Sequence, residues 1–166
     1  MAAVQPDSSV LQPPDILSAV CGELSMLLGN LVCSSVYRTK AMYYENQNDF
    51  YNMAVSGTWT QSPRSLLAAV NALEQKYGRD RACAAAKGPR TLDIDIELFG
   101  TEIVHDDDEQ HPLYIPHPLM CERQFVLVPL LEILPQSADP ITGRKYVTIL
   151  SSLPEQGVTI WKRCKK

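Results

Sequence analysis

The chain has 166 residues, of which 45% are hydrophobic and 20% charged, and its formal net charge is −4. This length and balance indicate a single soluble domain with a core of its own. The negative charge gives no general attraction for nucleic acid, and no apolar run reaches the length of a membrane span or of a signal peptide. The five scattered cysteines include no Cys-x-x-Cys pair, which favours a reduced cytoplasmic protein over a zinc or disulfide framework.

The first third of the chain predicts one helix and one strand behind an irregular start. Met1–Pro14 is interpreted as a loose leader with a weak strand signal at Ala2–Gln5, and residues 15–166 as one domain. Apolar residues recur at helical spacing in Asp15–Leu28. Leu31–Arg38 has the β-branched and aromatic residues of a strand.

A second helix is indicated by its ends. Ser62 is a suitable N-cap, Pro63 suits the first turn, and Gly78 suits the residue after the last turn. Strand residues precede this helix up to about Trp59. Further along, the sequence predicts shorter elements, which are a strand at Thr101–Val104, a buried segment at Val126–Ile133, a short helix or turn near Thr148–Leu153 and a strand at Val158–Trp161.

The clearest pattern is the strict alternation of apolar and acidic residues from Leu92 to Leu98. Period two predicts a strand with one buried face and with Asp93, Asp95 and Glu97 together on the other. Carboxylates on one face of a strand lie about 7 Å apart and repel each other unless a cation lies between them. The pattern therefore suggests a magnesium site, and its alternative is an ordinary polar face of a sheet.

A basic segment precedes that strand. Arg79, Arg81, Lys87 and Arg90 lie within twelve residues of an otherwise acidic protein. The segment has few bulky apolar residues, so we expect a mobile loop that can close over a triphosphate. The alternative is a solvated linker. A second charged run, Asp106–Glu109, is interpreted as a solvated acidic loop and not as a metal cluster.

Three segments resemble the 6-hydroxymethyl-7,8-dihydropterin pyrophosphokinase family. They are Gly88-Pro89-Arg90-Thr91-Leu92-Asp93-Ile94-Asp95-Ile96, the run Pro116-His117-Pro118 with Glu122-Arg123-Gln124-Phe125-Val126-Leu127, and Gln47-Asn48-Asp49-Phe50-Tyr51-Asn52. The resemblance implies an α+β, ferredoxin-like βαββαβ sandwich, with a mainly antiparallel sheet and helices on one face. The first strand of that core is left open, because the Gly-Ser-Asn turn that ends it in the family is missing here.

The resemblance also implies an activity. Members transfer diphosphate from ATP to the hydroxymethyl group of the dihydropterin in folate biosynthesis, with AMP as the second product and two Mg²⁺ ions as cofactors. The expected protein is a monomer that takes small-molecule substrates and neither nucleic acid nor membrane. Two alternatives stay open, a catalytically impaired pterin- or nucleotide-binding homologue and another metal-dependent phosphotransferase or nuclease.

The site residues implied by the resemblance fall into four groups. Those for pterin are Thr39, Met42, Phe50, Asn52 and Phe125. Those for ATP are Asn71, Glu74, Arg81, Ile96, His117 and Arg123. The catalytic residues are Arg79, Arg90 and Asp95, and the metal ligands are Asp93 and Asp95.

Overall fold

The structure is a computed structural model and describes residues 2–4, 13–39, 49–78 and 92–164. In chain order its elements are β1 (Ala2–Val4), α1 (Pro13–Leu27), β2 (Gly29–Cys33), β3 (Val36–Thr39), β4 (Phe50–Met53), β5 (Val55–Thr58), α2 (Pro63–Lys76), β6 (Asp93–Ile94), β7 (Val104–Asp106), β8 (Leu113–Ile115), α3 (Gln124–Ile133), α4 (Tyr146–Ser152) and β9 (Thr159–Lys162). Among the described helices, none combines the length and apolar character that crossing a membrane requires.

The main sheet has the strand order β6-β1-β4-β3-β9, and every neighbouring pair in it is antiparallel. β3 pairs with β4, and β2 and β5, which lie just before β3 and just after β4 in the chain, pair in a second ladder. The weak strand signal near the start of the sequence corresponds to β1, which lies between β4 and β6. The family-type core therefore has its first strand.

The α+β, βαββαβ fold is confirmed, with α1 and α2 of the core on one face of the sheet. Their buried side chains form one apolar cluster with residues of the sheet, namely Ile16, Leu17, Val20, Leu24, Met53, Leu73 and Leu92. The predicted caps of α2 are confirmed, since the Ser62 side chain accepts a hydrogen bond from the Ser65 backbone N–H. Gly78 follows the helix with φ +88°, a conformation that favours glycine.

The additional helix α3 packs on the opposite face and forms a second cluster with α4. Glu132 on α3 accepts hydrogen bonds from the Ser35 backbone N–H at 2.8 Å, the Ser35 hydroxyl at 2.8 Å and the Tyr37 hydroxyl at 2.9 Å. Tyr37 is paired with Asn52 in the β3–β4 register. Because side chains alternate along a strand, Asn52 faces α3 while Met53 faces α1.

One predicted strand is shorter than its sequence pattern. Alternation predicts a strand from Leu92 to Leu98, but regular pairing covers only Asp93–Ile94. Ile94 lies opposite Ala2, which is the first residue of β1, so the described pairing stops there. The short strand predicted at Thr101–Val104 lies further along, at Val104–Asp106.

Candidate active site

A cavity of about 390 Å³ lies between α2, β6 and the segment that leads from β8 towards α3. Its lining includes many of the predicted ATP and metal residues, which are Asn71, Glu74, Asp93, Asp95, Ile96 and His117. These residues come from three separate parts of the chain. Their meeting in one cavity depends on the pairing of β6 with β1 and on the packing of α2 against β6.

Glu74 connects the helix wall of this cavity to the strand wall. Its side chain is only 1% exposed, and its Oε1 accepts a hydrogen bond from the Ile94 backbone N–H at 2.7 Å. A buried carboxylate held by a backbone amide fixes the separation of α2 and β6. Glu74 therefore has a structural contact in addition to any contact with a ligand.

Asp93 and Asp95 are both half-buried and both line the cavity. Their carboxylates are hard oxygen donors of the kind that Mg²⁺ prefers. Within the described ranges, no group of three or more His, Cys, Asp or Glu side chains is arranged to hold a metal ion. Two carboxylates nonetheless fit magnesium, because this ion commonly takes one or two of them and completes its shell with water and substrate phosphates.

His117 is held at the cavity wall by backbone contacts. Its backbone N–H donates to the Glu97 carbonyl at 3.0 Å, and its Nδ1 accepts from the Leu119 backbone N–H at 3.3 Å. Burial lowers the pKa of His117, and the carboxylates of Asp95 and Asp93 oppose this shift only in part. A neutral imidazole that accepts at Nδ1 carries its proton on Nε2, so it can donate one hydrogen bond to an anion.

Glu97 does not behave as the sequence pattern predicts. It was expected on the same outer face as Asp93 and Asp95, but it is 6% exposed and neither carboxylate oxygen has a hydrogen-bond partner among the described residues. Burial raises its pKa to about 7, and nearby Asp95 adds to the shift. Its Oε2 lies 3.9 Å from His117 Nδ1. The sequence contained no signal for this burial, because the alternation treats all three acids alike.

The predicted pterin residues that the structure describes lie on the α3 side of the sheet. Asn52 Nδ2 donates to Thr39 Oγ1 at 3.0 Å, and both residues are buried. Phe50 lies two residues before Asn52 on β4 and therefore on the same face, and it is paired with Thr39. Phe125 is near the start of α3, and its ring centroid is 5.6 Å from the guanidinium carbon of Arg123.

Some predicted site residues lie outside the described ranges. These are Met42, Arg79, Arg81 and Arg90, and the same holds for Lys87. Their roles stay predictions from the sequence.

The acidic run has local partners that agree with a surface loop. Asp106 pairs with Arg64, and Asp107 accepts from the Tyr114 hydroxyl. The Asp108 side chain accepts the backbone N–H groups of the nearby residues 110 and 111. These carboxylates organise their own loop and the neighbouring β7–β8 ladder.

An α+β sheet that brings two aspartates and a histidine to one cavity has the parts of a metal-dependent phosphoryl-transfer enzyme. A family model described as 7,8-dihydro-6-hydroxymethylpterin-pyrophosphokinase matches residues 8–135. The chain belongs to this family.

Curated relatives agree with this assignment. A 2-amino-4-hydroxy-6-hydroxymethyldihydropteridine pyrophosphokinase of Synechocystis is 40% identical over 141 residues, which are 84% of this chain and 69% of the relative. An enzyme of the same name from Bacillus subtilis is 38% identical over 78% of this chain and 70% of the relative. The folic acid synthesis protein fol1 of Schizosaccharomyces pombe is 38% identical over 77% of this chain but only 17% of its own length.

Proposed function

We propose that the cavity between α2 and β6 binds ATP with Mg²⁺, and that the α3 side of β3 and β4 binds the pterin. As a family member, the chain is an ATP-dependent diphosphotransferase that transfers diphosphate from ATP to hydroxymethyldihydropterin in folate biosynthesis. The observation that supports these assignments most is the meeting of Asn71, Glu74, Asp93, Asp95 and His117 in one cavity.

The metal-binding part of the proposal assigns two Mg²⁺ ions to Asp93 and Asp95. When bound, Mg²⁺ neutralises phosphate charge, which is the main requirement of phosphoryl transfer. Both aspartates have the half-buried position in which a carboxylate still reaches a ligand. Asp95 is also the proposed base for the pterin hydroxymethyl group, as the family resemblance implies.

The remaining residues of the ATP site have complementary roles. Asn71 and Glu74 are proposed to bind the nucleoside, and Ile96 to pack against it. Neutral His117 donates one hydrogen bond from Nε2 to a phosphate oxygen. Arg123 contributes a guanidinium, whose planar set of donors matches phosphate oxygens. Arg79, Arg81 and Arg90 are assigned to the phosphates from the sequence alone, with Arg79 and Arg90 in catalysis.

The pterin part of the proposal depends on paired polar and aromatic groups. Asn52 carries both a donor and an acceptor, which suits the amide edge of a pterin, and its bond to Thr39 fixes its orientation. Phe50 and Phe125 offer flat faces on which a fused ring can stack. Met42 completes the group from the sequence resemblance.

The alternative of an impaired homologue is not favoured. It was motivated by the missing Gly-Ser-Asn turn, whereas the family match and the relatives named as pyrophosphokinases support the active enzyme. We predict that the enzyme is a monomer and that it works in the cytoplasm. We also predict that it acts on small molecules and does not bind nucleic acid.

The test is AMP formation from ATP and the dihydropterin by variants of the two aspartates. We expect Asp93→Asn and Asp95→Asn each to lower turnover by about 100-fold or more, because each removes a charged ligand of the Mg²⁺ ions that neutralise the transferring phosphates. The matched control is Asp107→Asn, which makes the same chemical change in the exposed acidic loop and should stay near wild-type activity. Near-normal turnover in either cavity variant would disprove the metal assignment.

A further inference from the structure

The segment between α4 and β9, residues 153–158, contacts the chain next to the arginine that is proposed to bind phosphate. Gln156 in this segment is half-buried, and its side chain makes hydrogen bonds on both sides of Arg123. Its Oε1 accepts from the Gln124 backbone N–H at 2.8 Å, and its Nε2 donates to the Glu122 carbonyl at 2.9 Å. A single amide group therefore holds the backbone immediately before and after Arg123.

Arg123 lies at a junction between two helical segments. A 3-10 turn, Met120–Glu122, ends just before it, and α3 begins just after it. Arg123 itself has extended backbone angles, with φ −119° and ψ 106°, and within the described ranges its side chain does not cap α3. The first N–H groups and the last carbonyl groups of helical segments lack partners inside the helix, so this junction needs partners from elsewhere. Gln156 supplies one for each segment.

The contact is reciprocal, because Gln124 also binds Gln156. The Gln156 backbone N–H donates to Gln124 Oε1 at 3.1 Å, so two hydrogen bonds join these two glutamines. The rest of the segment is fixed at both ends, since Leu153 packs against the second apolar cluster and β9 pairs with β3. An amide whose donor and acceptor are both in use keeps one orientation, so Gln156 holds the junction in one conformation.

The guanidinium of Arg123 lies near groups of both proposed binding sites. Its carbon is 5.6 Å from the centroid of the Phe125 ring on the pterin side. On the ATP side, burial is the largest cause of the lowered pKa of His117, and the charge of Arg123 adds to that shift. Phe125 packs against the second apolar cluster and is held there independently of Gln156. The guanidinium is at the end of a long side chain, so its position depends strongly on the backbone angles of Arg123.

We propose that Gln156 is a positioning residue for diphosphate transfer, which fixes the backbone at Arg123 and thereby directs the guanidinium to the phosphates of ATP. This role rests on the proposed function, because it requires Arg123 to bind phosphate. Gln156 lies outside residues 8–135, which the family model matches, so the match assigns it no role. A glutamine suits the position because its amide accepts from one backbone group and donates to another.

The experiment measures AMP formation from ATP and the dihydropterin by Gln156→Met, which keeps the length of the side chain but removes its amide donor and acceptor. We expect kcat/KM for ATP to fall about ten-fold, because a misplaced phosphate-binding group loses much of its effect. The KM for the dihydropterin should change by less than about two-fold, since Phe125 keeps its packing. The matched control is Gln136→Met, which makes the same change at an exposed position just after α3 and should keep the kinetics of the parent.

A double-mutant cycle separates positioning from a general loss of structure. In the Arg123→Ala background, Gln156→Met should cause no further loss of kcat/KM for ATP, since no guanidinium is left to direct. All assays run well below the lowest thermal midpoint of the set, so that the enzyme is folded throughout. A ten-fold loss that persists without Arg123, an equal rise in the KM for the dihydropterin, or parent-like kinetics of Gln156→Met would each overturn the proposal.

The proposed function is tested separately by the parent and by Arg123→Ala alone. Arg123→Ala should lower kcat/KM for ATP more than Gln156→Met does, because it removes the guanidinium instead of misplacing it. Parent-like kinetics of Arg123→Ala would overturn the phosphate role of Arg123 and the role of Gln156 with it. A loss in Arg123→Ala without a loss in Gln156→Met would overturn the role of Gln156 alone.

Discussion

The buried carboxyl group of Glu97 allows a quantitative test of the structure through the variant Glu97→Gln. Burial raises the pKa of Glu97 from 4.5 to about 7. In the unfolded chain the carboxyl group regains its ordinary pKa, so the folded state binds the proton more tightly. The stabilisation from this proton is complete below pH 4.5 and is lost as the pH rises through 7.

The size of the effect follows from the shift. One pKa unit corresponds to about 1.4 kcal/mol, so a shift from 4.5 to about 7 predicts a loss of about 3 kcal/mol of folding free energy between pH 4.5 and pH 8. The side chain of Glu97 is only 6% exposed, so solvent screening reduces this value little. Glutamine cannot ionise. Its buried amide has a cost of about 1–3 kcal/mol, but that cost is the same at both pH values.

The assay is urea unfolding of the parent and of Glu97→Gln at pH 4.5 and pH 8, with a chelator present so that no cation near Asp95 alters the local charge. We expect the free energy of unfolding of the variant, relative to the parent, to rise by about 3 kcal/mol from the lower pH to the higher. Glu102→Gln is the matched control, because it makes the same chemical change at an exposed position. Parallel pH curves for Glu97→Gln and the parent would refute the buried, unpartnered position of this carboxyl group.

Two further predictions concern contacts outside the active site. Glu132→Ala should lower the free energy of unfolding by about 2 kcal/mol, since it removes three hydrogen bonds from Ser35 and Tyr37 to α3, and a loss below about 0.5 kcal/mol in urea unfolding would contradict this. Cys33 should react with iodoacetamide faster than Cys21 at pH 7.5, because the hydrogen bond between their thiols lowers the pKa of Cys33 to about 7 and raises that of Cys21. Mass spectrometry of timed samples measures both rates, and Cys21→Ala should slow the labelling of Cys33.

Sequence reasoning succeeded where local chemistry decides the structure. The helix α2 was predicted at both ends because Ser62, Pro63 and Gly78 act on their own neighbouring backbone groups. The helix α1 was predicted from apolar spacing and differs by at most two residues at either end. Such signals are contained within a single turn, so they do not require knowledge of the rest of the fold.

Long-range pairing explains what sequence reasoning missed. Glu132 occupies the last turn of α3 and looks like an ordinary surface residue, but it binds Tyr37 on β3 and Ser35 just before β3, both far away in sequence. Glu97 continues the sequence alternation of Asp93 and Asp95 but is buried, because periodicity predicts which side a residue faces and not what covers that side. The grouping of the ATP residues could likewise be predicted only from the sequence resemblance, since no local pattern connects Asn71 with Asp93.

The short β6 strand also bears on how Asp95 is held in place. The regular pairing with β1 extends to Ile94, so the ladder holds the chain up to the residue before Asp95. Hydrogen bonds on either side of it take over this role, from the Ile94 N–H to Glu74 and from the His117 N–H to the Glu97 carbonyl. The first connects Asp95 to α2 and the second to the wall that carries His117. The position of Asp95 in the proposed metal site therefore depends on both hydrogen bonds.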